Sequence, residues 1–254
     1  MKNIVIVGAS TGLGRCLGIG LAARGERVAL MARRRDKLEQ AAEEAGENAI
    51  AVVCDATDPA SCRIAFETAA TQMGQLDAVI YAAALGPLTT LANATNEQWE
   101  AAFAVNVIGA NNATTAALPH LHPTESHVLF MSTTGCSYTA PWPGLGVYQT
   151  TKAALNHLVE AWRAEVPNVN FVRVTIGECT GGEGDNQTQF TAGWDPEVAM
   201  EVGPAWFDRK LMTGGFIDIE HLTDTFHGLV SSGNSIQVPS LTIIPRPPLP
   251  DPES

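Results

Sequence analysis

The chain has 254 residues, of which 45% are hydrophobic and 17% are charged, and its net charge at pH 7 is −12. This composition is typical of a globular protein with one large α/β domain or two small ones. The acidic balance argues against nucleic acid and anionic membranes as partners, because both are bound by basic patches. The five cysteines form no CxxC pair, and no His, Cys or carboxylate cluster has metal-ligand spacing. We therefore expect neither a disulfide framework nor a metal.

The sequence also carries no sign of membrane insertion or secretion. No apolar run reaches the roughly 18 residues of a transmembrane helix. The apolar part of the N-terminus, MKNIVIVGAS, is too short for a signal peptide. We therefore expect a cytoplasmic protein.

Residues 1–175 alternate between short β-rich runs and Ala-rich stretches of helical length. Such alternation predicts βαβ units and a parallel sheet. Strand runs without polar alternation are typical of a sheet covered by helices on both faces. We therefore predict an α/β fold, a single Rossmann-type, doubly wound domain over residues 1–245. The predicted strands are Asn3–Val7, Val28–Ala32, Ala49–Val53, Ala78–Ala82, His127–Met131, Asn170–Val174 and Leu241–Ile244.

The clearest predicted helix is Tyr148–Glu165, where apolar residues recur at helical spacing. A segment rich in Gly, Thr, Asn and Gln follows residue 176, and long loops of this kind are usually functional. We predict a substrate lid over about 177–215, with helices beginning near Pro196 and Glu220. The proline-rich tail, 246–254, is expected to be extended or disordered.

The first predicted strand leads into a glycine-rich turn, GASTGLG, and a helix is predicted from about Leu13. One glycine allows a tight turn, a second lets a pyrophosphate approach the backbone, and a third lets the helix pack closely on the sheet. The helix N-terminus offers free N–H groups and partial positive charge to an anion. A merely structural turn is the alternative. The predicted phosphate contacts are Gly8, Ser10, Thr11, Gly12, Leu13 and Gly14.

With its Gly-x3-Gly-x-Gly spacing, this turn resembles the phosphate loop of the short-chain dehydrogenase/reductase family. Val7 stands where the family pattern has threonine. The resemblance covers about residues 3–176, with weaker matching to residue 244. It implies a Rossmann fold, a nicotinamide cofactor and a homodimer or homotetramer assembled through the long helices.

Three arginines, Arg33 to Arg35, follow the end of the second predicted strand, which carries no acidic residue. A carboxylate there would bind the ribose 2′-hydroxyl of NAD and repel a 2′-phosphate, whereas arginine accepts that phosphate. NADP(H) is therefore favoured over NAD(H), and a solvated basic turn is the alternative. The resemblance points to Arg33 as the phosphate ligand and to Arg34 as a neighbour able to stack on adenine.

Tyr148 and Lys152 are four residues apart, in YQTTK, and share one face of the predicted long helix. The reference pKa of tyrosine, about 10, is too high for a base at neutral pH, and a nearby ammonium lowers it. The resemblance implies that Tyr148 exchanges a proton with the substrate oxygen. It also implies that Lys152 holds the nicotinamide ribose and lowers the Tyr148 pKa.

Two more catalytic residues follow from the resemblance. Ser132, in VLFMSTTG, matches the family serine by its Ser-x-x-Gly spacing and would polarise the substrate carbonyl. The stretch from Ser132 to Tyr148 is three residues longer than is usual in the family, which leaves Thr133 and Thr134 as alternatives. Asn106, in VNVIGANN, matches the asparagine that anchors a water in the proton relay.

The resemblance also places contacts on the adenosine and nicotinamide sides. Asp55 ends the third predicted strand and would accept a hydrogen bond from the adenine amino group. The family's Asn-Asn-Ala-Gly after the fourth strand is here Tyr-Ala-Ala-Ala, and its Pro-Gly after the sixth strand is absent. The other expected cofactor contacts are Ala56, Ala82, Ala83, Gly177 and Thr180.

Ligands of such folds lie at the carboxyl ends of the strands. The segments expected there contain Trp142, Phe190, Trp194, Met200, Trp206, Phe207 and Met212. They predict an apolar pocket for a bulky ketone or secondary alcohol, although packing of a lid or a subunit contact is the alternative. The expected function is NADP(H)-dependent reduction of a ketone or aldehyde, or the reverse oxidation. An NAD-dependent alcohol dehydrogenase and a cofactor-sensing or scaffold protein remain as alternatives.

Overall fold

A computed structural model describes residues 1–212, 214–233 and 235–247. In this part of the chain, seven strands form one parallel sheet. They are β1 (Asn3–Val7), β2 (Arg27–Ala32), β3 (Ala49–Val53), β4 (Ala78–Tyr81), β5 (His127–Thr133), β6 (Asn170–Ile176) and β7 (Ser240–Ile243). Their spatial order is β3-β2-β1-β4-β5-β6-β7, so the direction of winding reverses between β1 and β4. This reversal is the usual ligand position in a doubly wound sheet.

Helices cover both faces of the sheet. They are α1 (Gly12–Ala23), α2 (Arg35–Ala45), α3 (Pro59–Met73), α4 (Asn96–Phe103), α5 (Gly109–Ala117), α6 (Gly146–Glu165), α7 (Pro196–Asp208) and α8 (Ile219–Val230). A π-helical turn, Ala104–Ile108, joins α4 to α5. Local chemistry sets several ends: Asp58 accepts a hydrogen bond from the Ala60 amide (2.9 Å), and Pro59 occupies the first position of α3.

The core has two layers because the sheet is buried on both sides. In β1, Val5 faces the layer formed with α3, α5 and α6, whereas Ile4 and Ile6 face the layer formed with α1, α2 and α8. All three side chains are fully buried. Each such burial contributes about 1.5–3 kcal/mol to stability. A third, smaller cluster packs α7 against the segment before α6, around Leu88 and Val202.

The predicted α/β class and the single Rossmann-type domain are confirmed. The largest strand differences are at β5 and β6, which each continue two residues beyond the predicted ends, so that residues 132 and 133 belong to the sheet. α6 begins at Gly146, two residues before the predicted start. Of the predicted tail, residues 248–254 lie outside the described residues. None of the described helices is long and apolar enough to cross a bilayer.

Candidate active site

A cleft of about 820 Å³ lies at the carboxyl ends of the strands. Its lining includes the residues at or just after the ends of β1 to β6. One end is formed by Arg33 and Arg34 and the other by the aromatic residues of the lid. The parallel topology therefore gathers the phosphate loop, the Tyr148–Lys152 pair and the predicted lid into one site.

Close packing explains the three glycines of the phosphate loop. Gly8 has a φ of +93°, and a Cβ there would lie 2.5 Å from the Ala83 amide nitrogen. A Cβ on Gly14 would lie 2.4 Å from the Gly8 carbonyl oxygen, and one on Gly12 would lie 3.2 Å from Thr188 Cα. The loop thus forms a cradle in which backbone N–H groups at the start of α1 remain accessible to an anion, and these residues fit a dinucleotide pyrophosphate.

The arginines after β2 lie beside this cradle. Arg34 Nη2 donates hydrogen bonds to Ser10 Oγ (2.8 Å) and Thr11 Oγ1 (2.9 Å). Asp55 accepts hydrogen bonds from the Thr57 amide and hydroxyl (2.9 and 2.7 Å). Partial burial acts to raise the pKa of Asp55, but these bonds and the nearby Arg33 charge outweigh it and hold the pKa below its usual value. The site thus combines an ionised carboxylate with two guanidinium groups.

The remaining expected cofactor contacts also line the cleft. Ala82 donates its amide to the Val7 carbonyl (2.8 Å), which fixes the turn after β4 against the phosphate loop. Gly177 donates to the Ile243 carbonyl (2.9 Å), and the Thr180 carbonyl accepts from Thr188 (2.8 Å). Ala56, Ala83, Gly177 and Thr180 all belong to the cleft wall.

Asn106 lies at the centre of the π-helical turn and is fully buried. Its amide group donates to the Leu85 carbonyl and to Thr151 Oγ1, and accepts from the Leu85 amide, each at 2.8 Å. Thr151 Oγ1 in turn donates to the Tyr148 carbonyl (2.7 Å). The side chain therefore ties the segment after β4 to the helix that carries Tyr148, and π turns of this kind are frequent at functional sites.

Tyr148 and Lys152 lie in the first two turns of α6. Lys152 Nζ is 5.8 Å from the centroid of the Tyr148 ring and donates to the Met131 carbonyl (2.7 Å). Lys152 is 2% exposed, and burial lowers its pKa to about 8. The pair thus has the proximity that the Tyr-x3-Lys spacing predicts.

The direction of the Tyr148 shift differs from our expectation. We predicted that the Lys152 ammonium lowers the Tyr148 pKa, but burial raises this pKa above its usual range, and Cys136 acts in the same direction. A hydrogen bond with the Thr133 hydroxyl lowers it only in part. In this structure Tyr148 is therefore a neutral phenol at neutral pH.

Two neighbouring hydroxyl groups at the end of β5 have different partners. Ser132 Oγ donates to Asn156 Oδ1 (2.7 Å) on α6 and lies 3.4 Å from Cys136 Sγ. Thr133 is the hydroxyl that acts to lower the pKa of Tyr148. Ser132 is thus tied to α6, whereas Thr133 is the hydroxyl that influences the phenol.

The lid is held down by polar contacts with α1 and α2. Arg15, which is 5% exposed, donates to Asn186 Oδ1 (2.9 Å) and to Glu44 Oε2 (2.6 Å). Lys37 Nζ donates to Asp185 Oδ2 (2.6 Å). These contacts place the lid across the phosphate loop at Gly12.

Aromatic side chains form a continuous wall at the other end of the cleft. The ring centroids are 5.4 Å apart for Trp142 and Trp206, 5.9 Å for Trp194 and Trp206, and 5.3 Å for Phe190 and Trp194. Each indole N–H donates a hydrogen bond: that of Trp142 to Thr139 Oγ1, that of Trp194 to the Gly86 carbonyl, and that of Trp206 to the Pro143 carbonyl. With the polar atoms satisfied, the rings offer carbon surface to a ligand.

Two lid residues lie elsewhere than predicted. Met200 is 71% exposed and Phe207 is 64% exposed, and neither lines the cleft. Both point outward from α7, whose opposite side carries Val202 and Trp206. Met212 does line the cleft, together with Phe216, which the sequence did not identify.

Sequence reasoning also missed Gln149 and Asn156. Gln149 is 5% exposed and accepts the Trp142 amide (3.0 Å), which fixes the loop before α6. Asn156 holds Ser132 from one turn beyond Lys152. Their spacing along α6 places both on its buried side, but polar residues at such positions carry no signal that separates structural from catalytic roles.

Comparison with known proteins agrees with this geometry. A sequence model described as short chain dehydrogenase matches residues 2–193. The chain belongs to the short-chain dehydrogenase family. Among relatives, 11-beta-hydroxysteroid dehydrogenase 1A of Arabidopsis thaliana is 33% identical over 182 residues, which are 69% of this chain and 52% of that protein. The chain thus spans about half the length of this relative.

An uncharacterised oxidoreductase of Listeria monocytogenes is 32% identical over 181 residues, 69% of this chain and 72% of its own length. Solved structures share the fold. The alcohol dehydrogenase of the archaeon Thermococcus sibiricus, complexed with 5-hydroxy-NADP, has a TM-score of 0.80 at 24% identity over 99% of both chains. A serine dehydrogenase complexed with NADP+ has a TM-score of 0.79 at 19% identity, covering 94% of this chain and 93% of its own. The chain thus belongs to a family of oxidoreductases that use nicotinamide cofactors.

Proposed function

We propose that this short-chain dehydrogenase reduces a ketone or aldehyde with NADP(H), with Tyr148 as the proton donor. One observation carries the proposal. Tyr148, Thr133 and Lys152 converge in a cleft whose other end holds a glycine cradle and two arginines. The same arrangement serves the reverse oxidation of a secondary alcohol.

The 2′-phosphate of NADP has matching groups beside the cradle. Arg34 lies against Ser10 and Thr11, and Arg33 lines the same end of the cleft. Together they offer charge-assisted donors to a phosphate. The bound ligands named for the Thermococcus sibiricus enzyme and the serine dehydrogenase, 5-hydroxy-NADP and NADP+, support the same choice.

When bound, the nicotinamide supplies hydride chemistry, and the protein manages position and one proton. Tyr148, kept neutral by burial, donates its proton to the carbonyl oxygen. Lys152 binds the ribose and stabilises the phenolate that remains. Asn106 acts through Leu85 and Thr151, which it holds against the helix of Tyr148.

Thr133 takes the role of the carbonyl-polarising hydroxyl in this proposal. Its hydroxyl acts on the pKa of Tyr148, and in this proposal the substrate oxygen accepts hydrogen bonds from both groups. Ser132 is occupied by Asn156 and stabilises the end of β5. This proposal selects Thr133 among residues 132, 133 and 134, the choice that the longer spacing left open.

The aromatic wall favours a bulky, apolar substrate. The rings of Trp142, Phe190, Trp194 and Trp206 line the cleft with their polar atoms bonded elsewhere. The name of the Arabidopsis relative, a hydroxysteroid dehydrogenase, is in line with a ring-shaped apolar substrate. We further propose that the enzyme is a cytoplasmic homodimer or homotetramer, in which exposed apolar residues such as Ile108, 53% exposed, are covered.

Titration of the purified protein with NADPH and NADH tests the cofactor assignment. We expect replacement of Arg33 and Arg34 by alanine to weaken NADPH binding by about tenfold or more, since charged hydrogen bonds contribute roughly 1.5–3 kcal/mol each. NADH binding should change little. Arg35→Ala is the matched control, because Arg35 pairs with Glu39 on the surface and does not line the cleft. Equal affinities for both cofactors in the unmodified protein would favour an NAD-dependent enzyme.

Tyr148→Phe tests turnover itself. An enzyme loses ketone reduction and keeps NADPH affinity, because the phenyl ring preserves the packing. A scaffold or cofactor sensor has no turnover to lose with any ketone in a graded panel. Stopped assays with NADPH, followed at the nicotinamide absorbance, separate these outcomes.

A further inference from the structure

Phe190 lies between the reacting groups and the aromatic wall. Its ring centroid is 4.6 Å from that of Tyr148 and 5.3 Å from that of Trp194. Trp194 is fixed in turn by the hydrogen bond from its Nε1 to the Gly86 carbonyl (2.9 Å). Phe190 therefore occupies the space between the Tyr148 ring and the backbone at Gly86.

The glycine at position 86 is needed to make room for the Phe190 ring, not to allow an unusual backbone conformation. Its φ lies outside the left-handed range, so other residues can adopt the conformation. A Cβ at Gly86, however, would lie 2.1 Å from Cε2 and 2.3 Å from Cζ of Phe190. The missing side chain thus gives the ring its place beside Tyr148.

A carbonyl bonded to Tyr148 carries two substituents that meet different surroundings. A substituent on the Phe190 side would meet a ring that already packs on Tyr148 and is backed by Gly86. A substituent on the other side would meet the remaining apolar lining, which includes Trp142, Trp206, Met212 and Phe216. Space is therefore limited on the side of Phe190, where the ring cannot retreat without displacing backbone.

We infer that Phe190 is a specificity-determining residue that restricts the enzyme to ketones with one small and one bulky apolar substituent. The small substituent lies beside Phe190 and the bulky one against the tryptophans. This inference rests on the proposed carbonyl reduction. It adds a rule for substrate choice, namely how large the second substituent of an apolar ketone can be.

Acetophenone and butyrophenone are suitable probes because they share the phenyl group and differ by two methylenes on the small side. We expect the unmodified enzyme to prefer acetophenone in kcat/KM by about tenfold or more, the range in which a pocket discriminates added methylenes. Phe190→Ala should bring the ratio close to one by raising the butyrophenone value. Phe207→Ala removes the same ring from an exposed position outside the cleft and should keep the original ratio.

Gly86→Ala tests the contact from the other side. Its methyl group should displace the Phe190 ring and alter the ratio in the unmodified background. In the Phe190→Ala background the same substitution should have no effect on the ratio, because the ring it displaces is gone. An unchanged ratio in Phe190→Ala, or an equal effect of Gly86→Ala with and without Phe190, would overturn the inference. Thermal melts confirm that each variant is folded.

Ligand affinity separates this inference from the proposed function. Trp142, Trp194 and Trp206 line the cleft, so quenching of tryptophan fluorescence reports binding of either ketone without turnover. A protein that binds acetophenone more tightly than butyrophenone, and loses this difference in Phe190→Ala, supports the inference even if NADPH is not oxidised. Absence of turnover would then count against the proposed function alone. Equal affinities in both proteins would overturn the role of Phe190.

Discussion

Thr133 and Ser132 are adjacent in the chain, yet their hydroxyl groups serve different parts of the site. Ser132 bonds to Asn156, whereas the Thr133 hydroxyl acts to lower the pKa of Tyr148. We expect Thr133→Val to lower kcat on the order of a hundredfold, the effect of removing one donor to a reacting oxygen. Ser132→Ala should lower kcat much less and should mainly reduce stability.

Steady-state kinetics of both variants, with NADPH affinity as the control, decide between the two hydroxyls. Affinity for the cofactor should be unchanged in each. A large kcat loss in Ser132→Ala together with a small one in Thr133→Val would return the role to Ser132.

The pKa of Lys152 sets an alkaline limit on reduction. Burial lowers it to about 8, so the ammonium is present below that pH and is lost above it. Tyr148, whose pKa is raised, remains protonated across this range and keeps its proton for the carbonyl. The kcat/KM for ketone reduction should therefore be constant below about pH 8 and fall above it.

A pH profile of reduction, with Lys152→Met as the comparison, checks this assignment. The variant should have low activity and no decline near pH 8, because the titrating group is absent. A decline that persists in Lys152→Met would assign the limit to another group.

Sequence spacing identified the pair Tyr148 and Lys152, but it left the hydroxyl beside them open among residues 132, 133 and 134. The Tyr–Lys pair lies within one helix, where spacing alone fixes proximity. Thr133 ends β5 and Tyr148 lies in α6, and a loop separates these two elements. The position of Thr133 relative to Tyr148 therefore depends on tertiary packing. The raised pKa of Tyr148 escaped prediction for a related reason, since burial is a property of the fold and not of the motif.

At the scale of elements, side-chain hydrogen bonds connect the lid to α1, which follows the phosphate loop, and to α2. Arg15 bridges Asn186 on the lid and Glu44 at the end of α2. We expect Arg15→Ala to raise the dissociation rate of NADPH by about tenfold, because a charged hydrogen bond that holds the lid closed is lost. Stopped-flow displacement, read from tryptophan-to-nicotinamide energy transfer, measures this rate.

Arg35→Ala provides the comparison, since its 3.5 Å pair with Glu39 lies on the exposed face of α2. That variant should release NADPH at the original rate. Equal rates for Arg15→Ala and the unmodified protein would mean that the lid does not control release.

The π-helical turn depends on Tyr81, which stands where family members carry asparagine. Its hydroxyl donates to the Val105 carbonyl (2.6 Å), and the ring is 1% exposed. Tyr81→Phe leaves this carbonyl without its partner, so we expect the free energy of unfolding to fall by about 1–3 kcal/mol. Urea unfolding of the two proteins measures the difference.

A Cβ on Gly109 would lie 2.6 Å from the same hydroxyl, so Gly109→Ala should destabilise the protein as well. In the Tyr81→Phe background, Gly109→Ala should cost less, since the hydroxyl it meets is gone. Additive effects of the two substitutions would contradict this coupling. The Tyr81 hydroxyl thus couples β4 to both ends of this turn, through the Val105 carbonyl and the close approach of Gly109.

Strands and helices were predictable to within about two residues where apolar periodicity was strong. β1 and β3 match their predicted bounds, since a buried strand between turns has a clear pattern. The lid was predictable only as a region. Its course depends on Arg15, Lys37 and the aromatic contacts, which are distant in sequence and leave no local pattern.

At the scale of the whole molecule, the match to known relatives ends before the substrate wall is complete. The family model covers residues 2–193, whereas Trp194, Trp206, Met212 and Phe216 follow it. The phosphate loop and the Tyr–Lys pair thus lie within the matched residues, while these four side chains of the proposed substrate wall lie beyond them. For this reason the names of relatives support a class of reaction more firmly than they support a substrate.

One stretch of the lid contacts both halves of the cleft. Thr188 lies over Gly12 of the phosphate loop, and Phe190, two residues later, lies against Tyr148. A ligand that orders this stretch at one end prepares the other end, so the two affinities are linked and each ligand strengthens the other by the same factor. We therefore expect the dinucleotide and the proposed ketone to bind with positive cooperativity through this one stretch of chain.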